Sequence, residues 1–312
     1  MRINPPTNAS VDFLTPTIFH EPWWLDIATK GRYSVVEVIE SGQVIARLPY
    51  FLRKKMGIAT ASMPPLTHFC GPAVKPITAP LRRIDITKDL LSKLPSASSL
   101  YFKCHREIQD TIAFQGAGFR TFVQFTHEIH PQPTDVLWKN VHVKSRRIIR
   151  RASECHGISI GKDPGAFTQF YHQCIEKRGE TNYIDAAIGQ RLVQACLERD
   201  RGRIYEARDQ SGTLMAAIFC IWDNSSCYYL MTSRDPAAHL GATSLLVWEA
   251  ITDTAKRGLI FDFDGVSTEG GARFAYNFTS NVVPRYIALR ESIPMHLYRA
   301  ARYIFKKPVP YF

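Results

Sequence analysis

RIYEARDQSGTLMAAIFCIWDNSSCYYLMTSRDPAAHLGATSLLVWEAITDTAKRGLIFDFDGV, residues 203–266, is the stretch that decides the fold class. Arg203 to Arg208, Leu214 to Trp222 and Cys227 to Ser233 are β-branched and aromatic runs, separated by the turn-formers Gln210-Ser-Gly and Asn224-Ser-Ser. That pattern predicts a three-stranded antiparallel meander. The apolar period then changes: Ala242 to Lys256 repeats with helical spacing and stops at Gly258, and Leu259 to Val266 returns to strand alternation. Two strands joined through a helix imply a parallel crossover. A short helix near Gly271 to Asn277 and a strand from Val283 to Arg290 complete a mixed α/β order.

Working outward, Asp163 to Arg178 and Asp185 to Arg199 are amphipathic helices, and Ile158 to Gly161 is a short strand. Before these, Thr134-Asp135 is an N-cap signal opening a periodic run that reaches Cys155 and ends at Gly157. The first half is richer in strands. Tyr33 to Glu40 and Gln43 to Leu52 flank Ser41-Gly42 as a hairpin; Ser98 to Cys104 and Phe119 to Ile129 are further strands, with a helix expected over Glu107 to Gln115. Met63-Pro-Pro-Leu-Thr-His68 excludes regular structure by its two prolines. The Pro-rich hinge His130-Pro-Gln-Pro-Thr134 sets the expected division: an N-terminal domain over 1–130 and a C-terminal domain over 131–312 carrying the main cleft. One continuous sheet with an irregular N-terminal extension is the alternative.

The chain has 312 residues, 45% hydrophobic and 21% charged, which excludes disordered and fibrous classes. Its net charge of +11 is not a tail effect: 15 basic residues face 10 acidic ones through residue 130, and 24 face 18 after it. Such an excess suits a polyanionic partner. Seven scattered cysteines without metal spacing read as reduced thiols of a cytoplasmic protein, and the first residues lack the apolar core of a secretory signal.

Three features carry candidate chemistry. In KSRRIIRRA, Lys144, Arg147 and Arg151 fall at i, i+3 and i+7, so one helix face holds three cations; it is either a solvated surface or a cradle for phosphate. The joint Ser233 to Thr243 places Gly241 at a helix start, where Arg234, His239, Thr243 and free N–H groups could hold an anion or merely cap the helix. In Phe261-Asp-Phe-Asp-Gly265, alternation sets Phe261 and Phe263 on one face and Asp262 and Asp264 on the other. Those carboxylates can orient an amine, act as a base, or cap the next loop. Glu269 and His239 are the remaining ligands in reach, too few for a metal to be expected. No nucleophile elbow, phosphate-binding P-loop or dinucleotide-binding glycine motif is present. Basic residues interleave with aromatics from Arg273 through Lys307, which suits RNA, a phospholipid surface or a packed amphipathic helix.

These blocks together resemble the FemABX-like branch of the GNAT acyltransferase superfamily. The resemblance rests on Pro22, Trp24, Leu25, Gly42, Ala46 and Leu48 to Tyr50 running into Met63-Pro-Pro-Leu-Thr; on KSRRIIRRA; and on Tyr228, Tyr229, Leu245, Leu246, Trp248, Glu249, Ala250, Ile251, Ala255, Gly258, Phe261, Asp262, Phe263, Gly265, Phe274 and Phe278. Ala275 and Thr279 stand where many peptidoglycan-directed members have Lys and Gly. The resemblance implies an α/β fold of two tandem GNAT-like domains, with mixed, mostly antiparallel sheets flanked by helices. It further implies transfer of an acyl or aminoacyl group from acyl-CoA or aminoacyl-tRNA to an amine of a small molecule or cell-envelope precursor, without a metal. Lys144, Arg147 and Arg150 match the family's basic helix and Asp262 its strand aspartate. Asp262 or Asp264 would then orient or deprotonate the amine, and Tyr276 or the Gly241 backbone would serve the oxyanion. Tyr229, Trp248, Gly265, Glu269 and Arg273 are expected on the substrate side. tRNA and an acidic membrane surface are the candidate partners, the oligomeric state is open, and the alternative function is RNA binding on a degenerate GNAT scaffold.

Overall fold

The computed structural model describes residues 12–55, 57–76, 79–180, 182, 184–266 and 268–304. By contact density the chain forms two units, 1–123 together with 286–312, and 124–285; the hinge reading had left 286–312 with the second.

In the first unit, α1 (Pro22–Thr29) starts at a proline, which suits a first helical turn because its missing N–H has no partner to lose. Trp24 is fully buried and its Nε1 donates to Thr67 Oγ1 at 3.0 Å, so the early tryptophan and the Met63-Pro-Pro-Leu-Thr loop stabilise each other. The hairpin is present as β1 (Ser34–Glu40) and β2 (Gln43–Lys55). Its central residues have φ of 49° at Ser41 and 76° at Gly42, the doubly left-handed turn that matches strand twist. Then come β3 (Ile58–Ser62), β4 (Ala73–Val74), α2 (Pro80–Ser92), β5 (Ser99–Lys103), α3 (Ile112–Gly116) and β6 (Arg120–Ile129), whose first residues belong here. The expected helix over 107–115 shrinks to α3, because Ile108 closes a turn on His105 and Asp110 Oδ1 accepts the Ile112 N–H, starting the helix only there. Neither α1, α2, β3 nor β4 was anticipated.

The second unit opens with α4 (Thr134–Asn140) and α5 (Val143–Cys155). Here the single helix expected over 134–155 is broken. Val141 and His142 are extended; Val141 is buried, and the His142 N–H donates to Asn277 O at 2.8 Å. Arg146 Nη1 reaches back to the carbonyls of Trp138 and Lys139, covering acceptors left at the end of α4. The next elements are β7 (Gly157–Gly161), α6 (Pro164–Lys177) and α7 (Ala186–Glu198), the two helices capped by Asp163 and Asp185.

The expected meander follows as β8 (Gly202–Arg208), β9 (Leu214–Trp222) and β10 (Ser226–Arg234), antiparallel throughout. Ala216 to Trp222 on β9 are all buried. One face joins the core under α8 (Ala242–Lys256), and on the other Phe219 meets Phe167 of α6 at 5.8 Å between ring centres. A strand covered on both faces is apolar at every position rather than alternating. The chain then crosses through α8 to β11 (Ile260–Asp262), parallel to β10 as expected. β11 is shorter than the strand expected over 259–266, because Asp264 and Gly265 take φ of 64° and 88° and turn the chain out of the sheet. The two parallel strands pair from Ser226 and Ile260 as far as Tyr228 and Asp262, while β10 continues to Arg234.

After α9 (Glu269–Tyr276), β12 (Val282–Glu291) leaves the second unit, and its residues 287–291 pair antiparallel with β5 of the first. α10 (Ile293–Ile304) ends the described chain. Among the described residues the mixed, mostly antiparallel sheets flanked by helices are those expected.

Gly241 is where α8 meets α5. A Cβ there would lie 2.8 Å from the Ile148 carbonyl oxygen and 2.5 Å from Ile148 Cγ2. Gly241→Ala should therefore cost about 1–3 kcal/mol in urea unfolding, as overpacked sites do. Ile148→Ala in the same chain should recover only part of it, since the carbonyl clash remains.

Candidate active site

Three strands of the second unit meet around one guanidinium. Glu128 on β6 is the register partner of Asp262 on β11. Arg285 on β12 places Nη2 2.5 Å from Glu128 Oε1 and 2.9 Å from Asp262 Oδ2. All three side chains are buried. Asp262 Oδ1 accepts from Thr126 Oγ1 at 2.6 Å and from the Asp264 N–H at 2.8 Å, and the Gly265 N–H donates to Thr126 Oγ1 at 3.0 Å. Both oxygens of Asp262 are thus engaged in holding Arg285 and the 262–265 turn. Burial pushes its carboxyl pKa up, against the pull of Arg285, Thr126 and the Asp264 amide. For Arg285, burial opposes the charged form, but Asp262 and Glu128 outweigh it and its pKa rises.

Glu128 also faces a cleft of about 600 Å³ lined by His130, Asn140, His142, Trp248, Tyr276 and Asn281 among others. His130 Nε2 stands 3.7 Å from Glu128 Oε2 and is half exposed. The Glu128 carbonyl accepts from Thr279 Oγ1 and Asn281 Nδ2, so the loop over 279–281 is tied to β6. Behind the cleft, the ring of buried His127 lies edge-on to Tyr276, 4.4 Å between centres. Burial lowers the His127 pKa, with the Thr279 backbone and Asp262 opposing, which favours the neutral imidazole. Trp248 packs on Trp138 at 4.8 Å, and the Arg150 guanidinium lies 5.7 Å over the Trp138 ring.

The expected site residues divide into groups. Tyr276 and Trp248 line the cleft together. Asp262 lies behind Arg285, and Asp264 belongs to the turn rather than to a continuing strand, so the two carboxylates do not leave the sheet side by side. Gly265 also belongs to that turn, where a Cβ would touch the Gln124 amide at 3.3 Å. Glu269 and Arg273 pair with each other in solvent. Tyr229 sits in an aromatic cluster with Phe261, Phe263 and Phe274; burial raises its phenol pKa. Lys144, Arg147 and Arg150 are exposed on α5; with Arg151, Lys144 and Arg147 make no ion pair among the described residues. Gly241, at the start of α8, packs on that same helix, but its N–H donates to His239 Nδ1 at 3.0 Å. Arg234 Nη1 donates to Ala238 O, and Thr243 is half-buried in the first turn of α8. Glu128, His127 and His130 were not read as site residues, and Arg285 was read only as part of the basic–aromatic stretch from Arg273; β6 and β12 mix polar with apolar residues, so no local pattern marks the four. Among the described residues no group of three or more His, Cys, Asp or Glu could hold a metal.

Residues 140–276, from the end of α4 through α9, match the family model described as Acetyltransferase (GNAT) domain. The match covers fewer than half of the chain's residues, so it is a likeness of this segment to GNAT domains. No curated protein matches the chain. Among solved structures, FemX is similar with a TM-score of 0.66 at 11% identity, covering 89% of this chain and 92% of its own. The C-terminal domain of a protein described as a lysylphosphatidylglycerol synthetase from Agrobacterium fabrum reaches 0.63 at 13%, covering 93% and 95%. A tandem GNAT protein from the clavulanic acid biosynthesis pathway reaches 0.51 at 12%, covering 83% of each chain. At these identities the likeness is one of fold. The matched segment contains the meander, the α8 crossover and the Phe261-Asp-Phe strand.

Removing Arg285 would leave two buried carboxylates uncompensated. Arg285→Met should cost about 3–5 kcal/mol at pH 7. In that variant Asp262, whose carboxyl burial already pushes up and Arg285 would no longer pull down, would hold a proton that the unfolded chain releases, so stability falls as pH rises; the deficit in urea melts should shrink on going from pH 7 to pH 5.

Proposed function

We propose that the protein is an N-acyltransferase that uses the Glu128 cleft to join an acyl or aminoacyl group to an amine. The observation that supports this reading is a buried carboxylate on a cleft wall of the second unit, held by Arg285 and set beside His130 and Tyr276. Asp262 is the positioning residue: it fixes Arg285 and the turn, and Glu128 takes the role of base that the sequence pattern had suggested for the aspartates.

In the reaction, the acceptor nitrogen attacks the donor carbonyl, forming the C–N bond while the C–S bond of a thioester or the C–O bond of an aminoacyl ester breaks. The nitrogen's proton passes to Glu128 Oε2, and His130 relays it to solvent. The Tyr276 hydroxyl gives its proton to the leaving sulfur or oxygen as negative charge gathers there and regains one from solvent, so that one proton moves in net from the nitrogen to the leaving group. Positioning and proton transfer suffice for such a step without a covalent enzyme intermediate.

The donor carries phosphates, as acyl-CoA or aminoacyl-tRNA do, and the α5 face of Lys144, Arg147 and Arg151 attracts them. The acceptor is an amine of a small molecule or cell-envelope precursor, drawn by the carboxylate and by the amide oxygens of Asn140 and Asn281.

With a panel of acyl-CoA and aminoacyl-tRNA donors, turnover should appear with one donor class and a primary amine. Glu128→Gln should lower kcat about 100-fold, the lower bound for losing a general base, at unchanged donor KM. Full turnover in that variant removes Glu128 from the mechanism. Combined alanine substitution of Lys144, Arg147 and Arg151 should raise donor KM about tenfold at low salt, and the difference should vanish near 1 M salt as charges are screened.

A further inference from the structure

α10 is an amphipathic helix turned the unusual way round. Toward the first unit it presents polar contacts: Arg299 Nη1 lies 2.9 Å from Glu291 Oε1, and the same buried carboxylate takes Arg120 Nη2 at 2.7 Å through Oε2. The His296 N–H closes the first turn on Ser292 O. Toward solvent it presents apolar ones. Ile293 is 76% exposed, Leu297 62% and Tyr298 54%, with Pro294, Ala300 and Ala301 exposed beside them. A helix that only completes a core points its apolar stripe inward. This one is fastened by an ion-pair cluster and offers the apolar side outward.

Charge selects what would cover that side. Residues 292–312, SIPMHLYRAARYIFKKPVPYF, contain no acidic residue; Arg299 is taken up by Glu291, which leaves Arg302, Lys306 and Lys307 as the further cations of the segment, and the whole chain carries +11. Five aromatics, Tyr298, Tyr303, Phe305, Tyr311 and Phe312, are interleaved with the cations. A second copy of the same face would bring two such basic segments together, which like-charge repulsion opposes. One twelve-residue helix also offers far less than the roughly 800 Å² per partner of a stable protein interface. An anionic lipid surface complements both properties at once: it accepts a short apolar stripe at the acyl boundary and attracts the cations to its headgroups. No described helix is long and apolar enough to cross a membrane, so the contact would be peripheral.

We propose that α10 docks the chain on acidic phospholipid, lying in the plane of the interface with Ile293, Leu297 and Tyr298 inserted. The contact is independent of which amine or donor the cleft takes.

The test is flotation of the full chain with vesicles of phosphatidylcholine alone or containing 30% phosphatidylglycerol. Binding to the anionic vesicles at least tenfold above the neutral ones, reduced at least tenfold by Leu297→Glu and by Ile293→Glu with unchanged thermal midpoint, supports the proposal. Both side chains are exposed, so neither substitution should disturb folding. Absence of flotation with anionic vesicles overturns it, as does retention of full binding by both variants. A concentration-dependent dimer in light scattering that Leu297→Glu dissociates would also overturn it, since the face would then be covered by a second copy.

Discussion

The buried Arg285 guanidinium is the constraint on which the candidate site depends. Two carboxylates from adjacent strands converge on it, and neither could be kept ionised there alone, because removing a charge from water costs several kcal/mol without a partner. With Arg285 in place, Asp262 uses its other oxygen to hold the Asp264 amide and the Thr126 hydroxyl, and so fixes where the chain leaves β11. Glu128 is held by the same guanidinium and is among the residues that line the cleft. One residue therefore sets both the local backbone path and the orientation of the proposed base. The price is low tolerance: a group count of two acids to one base needs every hydrogen bond it makes.

The remaining scaffold keeps these strands in register. β9 is buried along most of its length and carries the antiparallel pairing of both β8 and β10, while α8 covers one face and returns the chain in parallel as β11. Because β11 stops at Asp262 and β10 runs on, the chain after Asp262 is free to turn, and the aromatic cluster of Tyr229, Phe263, Phe274 and Phe278 packs α9 in that place. α9 in turn delivers Tyr276 to the cleft. The close approach of α5 to α8 at Gly241 sets the basic helix beside the start of the crossover, so one packing contact places the candidate donor surface.

Much of the second unit was legible because its signals are local. The Gly212 turn, the Asp163 and Asp185 caps and the change of period at Ala242 each declare an element within a few residues. The break at Val141 and His142 was not legible, since it depends on a hydrogen bond to Asn277, more than a hundred residues away. β11 was overestimated because the alternation of Phe261 to Asp264 runs on past Asp262, where the strand ends before the backbone turns at Asp264. In the first unit, β3 and β4 are short and take their identity from pairing with β2, and α2 is amphipathic only weakly in sequence. The site was half legible: Asp262, Trp248 and Tyr276 lie in a recognisable pattern, whereas Glu128, His130 and Arg285 come together only through the order of the strands.

The most direct test of the cleft as the seat of chemistry is a crystal structure with a non-transferable donor analogue, either a thioether-linked acyl-CoA or a stable aminoacyl-adenosine amide. The expected result places the analogue's carbonyl, or the atom replacing it, in the cleft between Glu128 and Tyr276, with the attack position about 3.5 Å or less from the Glu128 carboxylate or from a water it holds. An analogue whose acyl end lies instead in the cavity of about 350 Å³ lined by Val74, His105 and Phe114 in the first unit would contradict it.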